Sequence, residues 1–157
     1  MQVFISYSTR DRAIVREFAK ELKPHAKVWF WDHDKEPGKE AWPSIFAQID
    51  NSDLVLTLVT GKALERAFSV GQEVGHAKSK GKEIVPIVEH GVSFGDLGCL
   101  SGLTPIELDR TNLPKTMGEI QTHVRKRAAA KRKTTDDGEA LLVVVACIAL
   151  LVILSKT

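Results

Sequence analysis

An open parallel α/β sheet of five strands, with helices on both faces, is the fold this sequence predicts. Three observations predict it. Short apolar runs alternate with amphipathic stretches about five times, two of those runs are apolar almost throughout, and no internal repeat interrupts the pattern. Alternating strand and helix is the signature of a parallel sheet covered on both faces. A strand apolar on both sides belongs between two layers. Right-handed crossovers then make the flavodoxin-like open sheet the default arrangement.

The elements follow in order. Residues 2–7 are β-branched and aromatic and predict the first strand. Residues 11–22 predict a helix, with Ile14, Val15, Phe18, Ala19 and Leu22 on one face, and Pro24 stops it. Residues 28–31 predict a second strand, read as showing Trp29 to one layer and Trp31 to the other. Residues 32–40 are polar, and Pro37-Gly38 marks a turn. Residues 42–49 predict a short helix with Ile45, Phe46 and Ile49 inward and Pro43 in its first turn. Residues 54–59 and 83–88 predict the two buried strands, joined by a helix over 63–79 with an irregularity at Gly71. Residues 91–102 form a glycine-rich loop and 104–108 a weak fifth strand. Residues 114–130 predict the last helix, with Met117, Ile120 and Val124 on one side.

Composition divides the chain into three parts: a mixed domain over 1–128, a small and charged linker over 129–139, and an apolar helix over 140–154. With 157 residues there is room for one domain with its own core. The formal charge of +2 gives no global case for a nucleic-acid partner. Cys99 and Cys147 are the only cysteines, so no disulfide framework is expected. No charged-then-apolar leader is expected at the start of the chain.

Several chemistries are excluded by what is missing. No G-x-G-x-x-G follows the first strand, and Gly61-Lys62 lacks the rest of a phosphate loop. A phospho-acceptor receiver would need acidic residues where Ser6-Tyr7 and residues 57–60 stand. Glu73 and His76 share the spacing of carboxylate-bridged metal sites, but further acidic helices are lacking. Asp32-His33-Asp34 reads as a solvated loop, so no metal is expected. In open α/β sheets ligands sit beyond the carboxyl ends of the strands. That places the candidate site among Ser6-Tyr7-Ser8, the 32–40 loop, Thr60-Gly61 and Glu89-His90.

Five blocks, in order over roughly residues 1–125, carry a family resemblance. They are Val3-Phe4-Ile5-Ser6-Tyr7 with Asp11; Val28-Trp29-Phe30-Trp31-Asp32 with Glu36-Pro37-Gly38; Ile49-Asp50-Asn51-Ser52-Asp53-Leu54-Val55-Leu56; Val70-Gly71-Gln72-Glu73-Val74-Gly75-His76-Ala77; and Gly81-Lys82-Glu83-Ile84-Val85-Pro86-Ile87. Together they resemble Toll/interleukin-1 receptor (TIR) domains, in the style of the prokaryotic branch.

The resemblance implies an activity and a partner. Many TIR domains cleave the nicotinamide–ribose bond of NAD+ and release ADP-ribose, cyclise it or transfer it. NAD+ would then be a substrate, with no cofactor required. The family's essential glutamate falls on Glu73, whose alternative is a surface glutamate near Lys78 or Lys80. Tyr7 and Ser8 match residues lining the nicotinamide side, with Tyr7 either stacking on a base or capping the sheet edge. Arg10, Asp32, Trp31, Phe68 and Ser69 are the remaining candidate substrate contacts; Arg10 and Asp32 also read as ordinary loop surface. One departure is plain: where the family often has Ser-x-Trp ahead of the glutamate block, this chain has Ala67 and Ser69, with Phe68 as the available substitute. TIR domains also associate with one another through the BB loop, here Asp34, Lys35, Glu36, Pro37 and Gly38. A non-enzymatic TIR–TIR adaptor at the membrane is therefore the second reading.

The run 140–154 holds fifteen residues, eleven of them Leu, Ile or Val. It would span roughly 22 Å as a helix, short of the roughly 30 Å hydrocarbon core. At about −0.3 to −0.6 kcal/mol per large apolar residue, insertion still outweighs modest bilayer thinning. The expectation is a membrane tail anchor with the domain facing the cytoplasm. The basic residues Arg125, Lys126, Arg127, Lys131, Arg132 and Lys133 ahead of it suit that side.

Overall fold

The computed structural model describes residues 1–31, 41–61, 67–92 and 98–154, with the side chains of residues 67, 68 and 138–154 outside that description. Five parallel strands form one sheet: β1 (Gln2–Ser6), β2 (Lys27–Phe30), β3 (Leu54–Val59), β4 (Glu83–Glu89) and β5 (Ile106–Leu108), in the order β2-β1-β3-β4-β5. This is the flavodoxin-like order expected from the alternation. The helices are α1 (Arg12–Leu22), α2 (Trp42–Asp50), α3 (Ala67–Ser79) and α4 (Leu113–Leu154).

The pleat sorts side chains into two layers, because alternate residues of a strand face opposite ways. Val3, Ile5, Leu54, Leu56, Leu58, Val85 and Ile87 pack with α1 and with Ile120 and Val124 of α4. Phe4, Val55, Val59, Ile84 and Val88 pack on the other side with α2 and α3. β3 is buried at all six positions, as a central strand covered twice must be.

Trp29 and Trp31 do not divide between the layers. Both lie on the α2/α3 side, with ring centroids 6.2 Å apart, and Trp29 stacks on Phe4 at 5.2 Å. They are two positions apart, and a period of two returns side chains to the same face.

α3 passes through Gly71 without interruption. It ends in a Schellman turn at Gly81, whose φ is +62°. There Lys82 N–H donates to Ala77 O at 3.0 Å and Gly81 N–H to Lys78 O at 3.0 Å. α4 continues beyond residue 130 to Leu154, so 129–139 is helical. Among the described side chains its last fully buried one is Val124, and Lys131 Nζ still reaches Asp53 Oδ1 at 2.6 Å. Among the described residues, no helix is long and apolar enough to cross a membrane.

Candidate active site

The helix that carries the site is an ordinary amphipathic helix with one exceptional residue. Val70, Val74 and Ala77 recur at helical spacing and are buried against the sheet. Glu73 falls within that stripe, three positions after Val70, and so is turned to the core with only 9% of its surface exposed. The layer it enters is largely apolar, with Phe4, Val55, Val59 and Val88. Burial pushes the Glu73 carboxyl up to about 7, because a carboxylate loses hydration there. The hydroxyl of Ser6, at the carboxyl end of β1, pulls the other way and favours the ionised form. Glu73 is therefore poised between its two protonation states near neutral pH.

The strand end beside it is polar where the rest of the layer is not. Ser6 and Ser8 are 0% and 3% exposed, and neither hydroxyl has a fully formed hydrogen bond among the described residues. Buried hydroxyls are ordinarily satisfied. Two buried hydroxyls at the carboxyl end of β1 are thus left unsatisfied among the described residues, Ser6 on the face that α3 covers.

A second polar group lies at the same edge of the sheet. Thr60, just past β3, donates from Oγ1 to Asp11 Oδ2 at 2.6 Å. Arg110, just past β5, reaches Asp11 Oδ1 at 3.3 Å and also pairs with Glu89 at the end of β4. Glu89 accepts the Gly61 N–H at 3.0 Å. The ends of β3, β4 and β5 and the head of α1 are thereby joined. This is what fixes the chain where it leaves β3.

The expected site residues separate. Ser8 follows the carboxyl end of β1, and Glu73 is buried on α3. Ser69 is exposed one turn ahead of Glu73, on the same side of α3. Trp31 is half-buried in the Glu73 layer. Tyr7 is placed with α1 instead: it is 7% exposed, its ring meets Phe30 edge-on, and its hydroxyl donates to Trp31 O. That is the sheet-edge packing reading of Tyr7. Arg10 is exposed in the turn before α1. Asp32, Asp34, Lys35, Glu36, Pro37, Gly38 and the Phe68 side chain lie outside the described residues. His76 bonds Asp50 of α2 at 2.9 Å and stacks on Phe46 at 4.2 Å, so it serves the α2–α3 contact. Among the described residues no group of three or more His, Cys, Asp or Glu is placed to hold a metal ion.

Ser6 and Glu89 were expected at this edge, but sequence reasoning missed two pairings: Ser6 with Glu73, and Arg110 with Asp11 and Glu89. A signal for the first existed: Ser6 shares the parity of Phe4 and so faces the same layer. None existed for the second, because Arg110 and Asp11 are 99 positions apart.

Comparison with known proteins places the chain. The profile of a family described as TIR domain matches residues 3–121. No curated protein matches it significantly in sequence. Among solved structures, the TIR domain of the Toll-related receptor TRR-2 from Hydra magnipapillata is 19% identical, with a TM-score of 0.60 over 78% of this chain and 97% of that one. The TIR domains of the activated Roq1 resistosome are 13% identical, with a TM-score of 0.59 over 78% and 98%. A CMP N-glycosidase from Clostridium botulinum, BcmB, is 13% identical, with a TM-score of 0.57 over 78% and 99%. Family profile, strand order and motif blocks agree, and the chain belongs to the TIR domain family.

Proposed function

We propose that this TIR domain cleaves the nicotinamide–ribose bond of NAD+, with Glu73 as the carboxylate beside the ribose. The observation that carries the reading is the burial of that one carboxyl, poised near neutral pH, at the carboxyl edge of the sheet. The chemistry needs little more. Nicotinamide leaves with the electron pair of the C–N bond and departs neutral, so no acid need protonate it, unlike an ordinary glycoside. The ribosyl oxocarbenium ion left behind is cationic. A fixed anion in a partly dry setting stabilises it strongly. Water then adds to the ribosyl carbon, giving ADP-ribose and a proton; a hydroxyl of the same or another nucleotide would give a cyclic or transferred product instead. The fold is one that also carries a CMP N-glycosidase.

TIR domains typically self-associate, and the Roq1 neighbour comes from an assembly. Activation by self-association is part of the proposal, as is a role in prokaryotic immune signalling suggested by the motif style. The run 140–154 is proposed as the anchor. α4 leads into it without a break, and residue 140 lies about 24 Å beyond Val124 along a straight helix. Anchoring on the cytoplasmic face would raise the effective concentration of the domains.

A second reading is favoured by one observation: exposed Ser69 stands where the family often has a cleft tryptophan. In that case the domain is an adaptor that only associates. Incubation with NAD+ at high protein concentration separates the two. The enzymatic reading expects free nicotinamide, lost in Glu73→Ala while sedimentation shows unchanged self-association. Association without nicotinamide release leaves the adaptor.

A further inference from the structure

Ser6 lies at the last position of β1, fully buried, on the face of the sheet that α3 covers. Around it the layer is built of Phe4, Val55, Val59, Val70, Val74 and Val88. A hydroxyl in such surroundings is costly unless it is bonded. Its neighbour across the sheet is Thr57, which is equally buried and does not bond it. Glu73, turned to the core from α3 beside Val70 and Val74, enters the same layer, and α3 touches β1 directly. No fully formed hydrogen bond engages the Ser6 hydroxyl among the described residues, so its proton is uncommitted.

We propose that Ser6 is a positioning residue for Glu73: its hydroxyl donates to the carboxylate when the carboxylate ionises, and so fixes one oxygen against the sheet and leaves the other free to face a cation. The proposal rests on the assignment of Glu73 to the ribose, but its first test does not. The geometry explains why an unsatisfied hydroxyl sits at this position. A neutral carboxyl gains little from a second donor. An ionised one in an apolar layer gains a charge-assisted bond, about twice as strong as a neutral one. Ser6 thus acts only on the charged form, which is the form a cationic ribosyl centre would require. Burial raises the Glu73 carboxyl and the Ser6 hydroxyl opposes that rise.

The test follows the Glu73 carboxyl itself, by carbon-13 NMR of the full chain with labelled glutamate and Glu73→Gln to assign the resonance. Ser6→Ala should move the Glu73 midpoint upward by roughly one pH unit, the loss of one hydrogen bond to a charged group. Ser6→Thr, which keeps the hydroxyl, should restore it. Thr57→Val, which removes an equally buried hydroxyl from the same layer, should leave the midpoint where it was. A midpoint unmoved by Ser6→Ala, or moved as far by Thr57→Val, overturns the proposal. Nicotinamide release gives the second readout: in Ser6→Ala the alkaline shift should appear in the pH–rate profile, with kcat lowered more than KM is raised. If the chain releases no nicotinamide at any pH while the NMR midpoint shifts as expected, the NAD+ reading fails and the Ser6–Glu73 pairing stands.

Discussion

Arg110 Nη2 reaches Asp11 Oδ1 at 3.3 Å, tying the end of β5 to the head of α1 across nearly the whole domain sequence. The Asp11 side chain is 1% exposed and the Arg110 side chain 42%. The carboxylate is thus dry while its partner keeps contact with water. Replacing Arg110 by Met removes the cation and leaves the Thr60 hydroxyl donating to Asp11. Thermal or urea unfolding should show a loss of about 1–3 kcal/mol. In an Asp11→Asn background the same change should cost less, since the two share one network.

Glu73 should oppose folding as pH rises. Its carboxyl titrates near 4.5 when unexceptional and at about 7 in the fold. The folded chain therefore holds a proton the unfolded chain has released between those values. Sign follows directly: the penalty is absent below 4.5, grows through the interval, and is complete above 7. Its full size is on the order of 3 kcal/mol. Glu73→Gln carries no such charge. Melting curves of the two proteins should coincide near pH 4, and at pH 8 the glutamine variant should melt several degrees higher.

Activity should follow the opposite course. If the ionised carboxylate stabilises the ribosyl cation, kcat/KM for nicotinamide release should fall tenfold per unit below about pH 7 and level off above it. The substrate-saturated profile should lie at lower pH, because a bound nicotinamide ribosyl cation favours ionisation. A rate that rises toward acid would indicate that a protonated Glu73 is the working form.

The tail should be separable from the domain. Among the described side chains of α4, Val124 is the last that is fully buried, and the Lys131–Asp53 pair is the last tie to the sheet end. A chain ending at residue 137 should keep the thermal midpoint of the full chain to within a few degrees. The full chain should pellet with phospholipid vesicles and the shortened one should not. Equal behaviour of the two on vesicles would remove the anchor from the account.

The sequence reveals the sheet well because its signals are local. Residues 54–59 and 83–88 are apolar whichever way they face, and only a strand between two layers needs that. Glu73 could have been placed too: three positions after Val70 and one before Val74, it falls on the buried stripe of its helix and not on the surface. Other features were obscured by composition. The stretch 129–139 is small and charged, which reads as linker, yet Ala129, Ala130, Lys131, Arg132 and Lys133 are all strong helix formers, and α4 runs through them. Tyr7 was matched to a cleft, but its position in β1's alternation carries it to the α1 side with Ile5. The Asp11–Thr60–Arg110–Glu89 network was invisible because its members meet only once β3, β4 and β5 are side by side.

The most direct measurement is nicotinamide release per chain from NAD+ at pH 8, with the full chain compared with Glu73→Gln at equal, high concentration. Glutamine keeps the shape and the hydrogen-bonding capacity of the side chain and removes only its charge. The account predicts steady release by the unaltered chain and its loss in a variant that is folded and more stable. Equal release by both, or none by either, would contradict it.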